Sequence, residues 1–134
     1  MKYRKGYKGI IEEDEVFETG WFVGKDIETE LISLYRVGRL IIRRHYATDF
    51  CSGPTIDRKT TRRAGVFHDA ICQLIRLGLL DMKYLDRANE MFEKILIQDG
   101  AWKITAAGYR FFVSRAGRFA ARPGYEPYPV LEAP

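Results

Sequence analysis

The apolar residues of this chain change period once, and the change falls at a Gly/Pro loop. Before that loop they alternate as in strands. After it they recur at i, i+3 and i+4 as in helices. Residues 29–36, TELISLYR, and 39–46, RLIIRRHY, are rich in β-branched and aromatic residues. Val37-Gly38 between them marks a tight turn, so the spacing predicts a β-hairpin. Residues 47–57, ATDFCSGPTID, form the loop, punctuated by Gly53-Pro54. Three helices are expected beyond it, which makes the fold class α+β.

The first predicted helix runs from about Lys59 to Leu77 and ends near Gly78. Ala64, His68, Ile71, Cys72 and Ile75 share one face of it, with Phe67 and Leu74 alongside. The second starts near Asp81, its expected N-cap, and runs to about Gln98, where Asp99-Gly100 closes it. Its stripe is Leu85, Ala88, Phe92, Ile95 and Leu96, and Asn89 falls inside that stripe. The third runs from about Trp102 to Ala121, with Arg110, Arg115, Arg118 and Arg122 along its outer side, and Pro123 ends it. A short turn between the first two predicts an antiparallel pair with His68 facing Asn89.

With 134 residues, the expectation is one domain with a single core. Residues 1–28 are polar and Gly-punctuated, and are expected to form an N-terminal arm pinned by Trp21, Phe22 and Val23. Residues 29–121 form the body. Residues 122–134 are proline-rich and are expected to form an extended C-terminal arm. The apolar share of 46% excludes a disordered chain. No apolar run approaches the ~18 residues a membrane-spanning helix needs. No apolar segment marks the first residues as a secretory signal. Cys51 and Cys72 are too few for a disulfide scaffold and are simplest as small buried hydrophobes.

Charge is distributed unevenly. Residues 1–30 carry five Lys/Arg against eight Asp/Glu, and residues 31–134 carry seventeen against ten. The net charge of +4 thus combines an acidic start with a basic body. Such a body suits an anionic partner: nucleic acid, phospholipid head groups or an acidic protein surface. Arg outnumbers Lys fourteen to eight, which points toward assembly, because the guanidinium holds carboxylates in a fixed fork. The clusters Arg43-Arg44-His45, Arg58-Lys59 and Arg62-Arg63 flank the loop. They suit phosphates or an acidic neighbour, or a plain solvated surface.

His68, Asp69, Asn89 and Asp49 are the residues where chemistry could reside. From periodicity alone, His68 is a core histidine bonded to a backbone carbonyl, Asp69 a helix charge and Asp49 a turn residue. Brought together, they could form a calcium-and-base site. Calcium takes several oxygen ligands, and a loop supplies both carboxylate and carbonyls. A histidine beside it activates water while the metal polarises an ester carbonyl.

The run Tyr46-Ala47-Thr48-Asp49-Phe50-Cys51-Ser52-Gly53-Pro54, then His68-Asp69, then Ala88-Asn89-Glu90-Met91-Phe92, resembles an uncharacterised phage and prophage family of small proteins. That family shows an aromatic-x-Thr-Asp-x-x-Ser-x-Pro loop, a His-Asp-x-x-Tyr helix and an Ala-Asp-x-x-Phe helix. The resemblance covers roughly residues 29–120. The last two motifs also resemble the helix pair of small phospholipases of the A-two class. That resemblance implies His68 as general base, Asp69 and Asp49 as calcium ligands, and Asn89 where a second Asp orients the histidine. The chain departs from it at Asn89 and at Cys72, which stands in the place of the Tyr. A carboxamide cannot support an imidazolium by charge as a carboxylate does.

The expectation for function is therefore a phage-type virion or tail-associated structural protein on a degenerate His-Asp scaffold. It would reside in the virion, and in the host cytoplasm during synthesis. Its partners would be other virion proteins or further copies of itself. The alternative is a calcium-dependent lipid hydrolase that helps a phage cross a host membrane, acting on phospholipid. A nucleic-acid-binding protein is a weaker alternative, carried only by the basic balance.

Overall fold

The structure is a computed structural model that describes residues 3–4, 10–47, 62–100 and 110. Two compact units hold them: residues up to 47 belong to the first and those from 62 onward to the second. Secondary structure is as the class requires, a sheet and two packed helices.

In the first unit, β1 (Tyr3–Arg4) pairs antiparallel with β2 (Ile10–Ile11). Strands β3 (Glu15–Glu18), β4 (Ile27–Glu28), β5 (Ile32–Leu34) and β6 (Arg39–Ile42) form a four-stranded antiparallel sheet in the order β3-β6-β5-β4. Register explains why it holds. Phe17 lies opposite Leu40, Leu40 opposite Leu34, and Leu34 opposite Ile27. All four are buried, so one apolar row crosses every strand. Ile42 and Ile32 form a shorter row beside it. Each such side chain, fully buried, is worth roughly 1.5–3 kcal/mol. Alternation turns Val16 outward on the other face, where it is exposed.

The expected hairpin is β5 and β6, with a turn one residue longer than Val37-Gly38 alone. Gly38 N–H donates to the Tyr35 carbonyl (2.8 Å) and Tyr35 N–H to Arg39 (2.9 Å). The loop is therefore Arg36-Val37-Gly38, with Gly38 in the left-handed region at φ 100°. That is a three-residue hairpin loop with glycine at its bulge position. Residues 15–28, read from the sequence as part of an arm, instead supply strands β3 and β4. Their apolar residues are sparse but correctly spaced: Phe17, Trp21 and Ile27 are buried, while Phe22 is 72% exposed. The arm reading failed because a strand of four residues carries only one or two apolar side chains.

In the second unit, α1 is Arg62–Arg76 and α2 is Tyr84–Gln98. The predicted faces are buried as expected. Beyond them, Gly65, Val66, Ala70 and Gln73 are buried too, so α1 is enclosed nearly all round. A helix enclosed this way is a central element rather than a surface one. Gly78 ends α1 at φ 77°, with Gly78 N–H on Ile75 O (2.9 Å) and Leu79 N–H on Leu74 O (3.0 Å). These two bonds are the pair that satisfies the last carbonyls of a helix closed by glycine.

Asp81 stands earlier than an N-cap should. Helix α2 begins at Tyr84, and Lys83 at its cap position makes no side-chain cap bond. The Asp81 carboxylate accepts Lys83 N–H (2.8 Å) and its carbonyl accepts Tyr84 N–H (3.0 Å). Asp81 thus heads a tight turn that feeds α2. Asp99-Gly100 closes α2 as expected, with Gly100 at φ 105°. The third predicted helix, 102–121, and the C-terminal arm, 122–134, lie outside the described residues except for Arg110. Arg110 is helical, and its Nη1 donates to Glu93 Oε1 (3.1 Å).

Gly38 is the least replaceable residue of the first unit. Thr19 Oγ1 donates to the Gly38 carbonyl (2.7 Å) and accepts Trp21 N–H (3.0 Å). This crosses the end of β3 over the hairpin loop. A Cβ on Gly38 would stand 2.5 Å from Trp21 O and 2.7 Å from Thr19 Oγ1. Gly38→Ala therefore combines a left-handed φ with a backbone clash. We expect a loss of at least ~1–3 kcal/mol, read as a lower urea midpoint with an unchanged m-value.

Candidate functional site

His68 lies on α1 and Asn89 on α2, and the two helices meet there. The contacts run in opposite senses along them: Arg63 Nη1 reaches Asp99 Oδ1 (3.0 Å), and His68 reaches Asn89. The start of α1 thus meets the end of α2, so the pair is antiparallel. Spacing brings His68 to this face because Ala64, Ile71, Cys72 and Ile75 lie three or four positions from it.

His68 Nε2 lies 2.6 Å from Asn89 Oδ1. The carboxamide oxygen can only accept, so Nε2 carries the hydrogen and donates. In the neutral ring Nδ1 is then a bare acceptor. It faces Cys72 Sγ at 3.5 Å, so the thiol donates to it. The result is a directed chain, from Cys72 to His68 to Asn89. It is closed to solvent: His68 is 1% exposed, Asn89 3% and Cys72 3%. The Phe92 ring meets the imidazole edge-on at 5.6 Å between centroids. Phe92 is the aromatic of the Ala88-to-Phe92 motif, so that motif supplies both the carboxamide and the ring against His68.

Of the other residues named from sequence, Asp69 follows His68 on α1 and is half-buried. Asp49 lies outside the described residues, as do Cys51, Arg58 and Lys59. Among the described residues, no three or more His, Cys, Asp or Glu side chains group as a metal ion would require. The backbone-carbonyl partner expected for His68 from periodicity is replaced at Nε2 by Asn89. Cys72 was read as a plain hydrophobe. What the sequence did contain was the i, i+4 spacing that places its sulfur beside Nδ1.

The basic cluster Arg43-Arg44-His45 is engaged within the first unit. Arg43 Nη1 donates to the buried Ser33 Oγ (2.8 Å). Arg44 N–H donates to Asp14 Oδ1 (2.8 Å), and His45 N–H to Ile11 O (2.8 Å). His45 adopts a left-handed φ of 80° to close the turn in which Tyr46 N–H reaches Arg43 O (3.2 Å). Two of the three residues therefore hold the strand ends with their backbone, and the third holds a buried hydroxyl.

Removing one member of the buried pair strands the other. Asn89→Ala leaves the imidazole N–H without its acceptor, at a cost of about 1–3 kcal/mol. Asn89→Asp keeps an acceptor oxygen in place and should recover part of that loss. A double-mutant cycle on His68 and Asn89, read by urea unfolding, should give a coupling energy of ~0.5–3 kcal/mol.

Comparison with protein-family models, with characterised proteins and with solved structures finds no match to this chain, so its own atoms carry the reading.

Proposed function

We propose that this chain is a phage-type virion or tail-associated structural protein. In it the His68–Asn89 bond joins two helices, with Cys72 on the other ring nitrogen, instead of hydrolysing lipid. One observation carries the structural half of the reading: both ring nitrogens of His68 face protein atoms in a site closed to solvent. A general base must reach, directly or through one water, the proton it removes. Here Cys72 stands where that water would need to be. The phage assignment rests on the motif resemblance at Thr48-Asp49, His68-Asp69 and Ala88-Asn89. The Arg-rich composition and the net charge of +4 favour assembly against acidic neighbours.

The second reading, a calcium-dependent phospholipid hydrolase, is favoured by a single contact. His68 Nε2 meets position 89, as the resembling helix pair requires. Against it stand a neutral orienting group and a thiol at position 72.

Two experiments test the proposal. Purified protein on phospholipid vesicles should release no fatty acid above background, with calcium or with chelator. General-base assistance is worth ~10²–10⁴-fold where it operates, so its presence would be obvious. Calcium-dependent release by wild type that disappears in His68→Ala would replace this reading with the hydrolase. The second experiment removes residues 123–134. The shortened chain should lose incorporation into particles while its urea midpoint changes little. Normal incorporation would remove the role given to that segment.

A further inference from the structure

Asp99-Gly100 closes α2, and no other Asp or Asn in the chain precedes a glycine. An aspartate followed by glycine is the pair most open to backbone isomerisation. Glycine has no side chain to hinder its nitrogen from attacking the carboxyl carbon before it. Here both reacting groups are engaged. Arg63 Nη1 donates to Asp99 Oδ1 (3.0 Å), and Gly100 N–H donates to Ile97 O (3.1 Å). We propose that Asp99-Gly100 is a latent modification site, where aspartate can convert to isoaspartate, and that Arg63 keeps it shut. This inference stands on the geometry at the end of α2 and does not depend on the assembly reading.

The chemistry is a rearrangement. Gly100 N attacks Asp99 Cγ, and a nitrogen–carbon bond forms. The amide proton passes to solvent and one carboxyl oxygen leaves as water, which closes a succinimide ring. Water then adds at the Asp99 main-chain carbonyl carbon and breaks its bond to Gly100 N. The chain now runs through Cγ, and the former main-chain carbonyl is a carboxylate. One water is lost and one regained, so the composition is unchanged and no electrons are transferred. For the first step the carboxyl must swing off Arg63, and Gly100 N–H must leave Ile97 O. Asp99 sits at φ −89° and ψ 9°, with its own N–H on Ile95 O (2.9 Å), so the backbone is held on both sides of the reacting bond. The Arg63–Asp99 pair is part-buried, so salt and water screen it incompletely. Isomerisation would lengthen the backbone by one methylene. That displaces Gly100 from the φ of 105° at which α2 ends and takes the carboxylate off the side chain. The tie between the start of α1 and the end of α2 is then lost.

The test uses the full chain, incubated at pH 7 in the folded state and, in parallel, in guanidinium chloride. Proteolytic digestion and liquid chromatography separate the isoaspartyl form of the peptide spanning Asp99-Gly100 from the aspartyl form of equal mass. The folded chain should isomerise at least ~10-fold more slowly than the denatured one, because attack requires the loss of a hydrogen bond to a charged group. Arg63→Ala should speed the folded reaction by ~3-fold or more, which a part-buried ion pair allows, and should leave the denatured rate unchanged. Asn89→Ala loosens the same helix pair at a different contact, the bond to His68. It should speed the folded reaction less than Arg63→Ala does, which separates release of the carboxylate from general destabilisation. Equal folded and denatured rates in the wild type would overturn the proposal without any variant. An Arg63→Ala rate no faster than wild type, or matched by Asn89→Ala, would remove the role given to Arg63.

Discussion

The hydrogen bond between His68 Nε2 and Asn89 Oδ1 is what the helix pair is built around. Either group alone, buried as both are, would carry a desolvation cost of about 1–3 kcal/mol. Together they cancel most of it, but only at one relative rotation and one register of α1 on α2. A helix turns by about 100° per residue, so sliding either helix by one position would carry His68 or Asn89 off the interface. Apolar stripes alone tolerate neighbouring registers, since Leu, Ile and Phe pack with many partners. The polar pair selects among them, and the Arg63–Asp99 contact near the other end is compatible with the same choice.

The first unit achieves the same selectivity by a steric route. Its sheet is short, and strands of two to four residues offer little to fix a register. Fixing it falls to the row from Phe17 to Ile27 and to the crossing of Thr19 and Trp21 over Gly38. At Gly38 no other residue leaves room for the backbone of Trp21. One unit is therefore specified by a buried polar bond and the other by a close backbone approach. Neither device shows up as an apolar pattern.

That difference explains what the sequence allowed to be read. The helices were legible because fifteen-residue elements carry several apolar positions each, and Gly78 and Asp99-Gly100 mark their ends chemically. The facing of His68 and Asn89 was legible from their place inside two stripes joined by a short turn. Strands β3 and β4 were not, because Glu15–Glu18 shows a single buried side chain, Phe17, among polar neighbours. The hairpin loop was misjudged by one residue, since Gly38 takes the bulge position after the turn instead of a place within it. Asp81 was correctly seen as a start signal, but it acts on the turn ahead of α2 and not at its cap. Cys72 was read by its size. Its hydrogen-bonding partner follows from the i, i+4 relation to His68, which the size argument left unused.

What Cys72 does to the site follows from the count of lone pairs on an imidazole. A neutral ring has one, and its position is decided by the acceptor on the other side. Asn89 makes that decision here, and it does so without charge. A carboxylate at position 89 would also place the hydrogen on Nε2, and would further favour the protonated ring. A tyrosine at position 72 would present a hydroxyl at the end of a long rigid ring, displaced from the backbone by several ångströms. Cysteine instead presents its sulfur one bond from Cβ, close enough for 3.5 Å to Nδ1 within one helix. Asn89 and Cys72 therefore act on the two ring nitrogens, one fixing where the hydrogen sits and the other meeting the bare nitrogen.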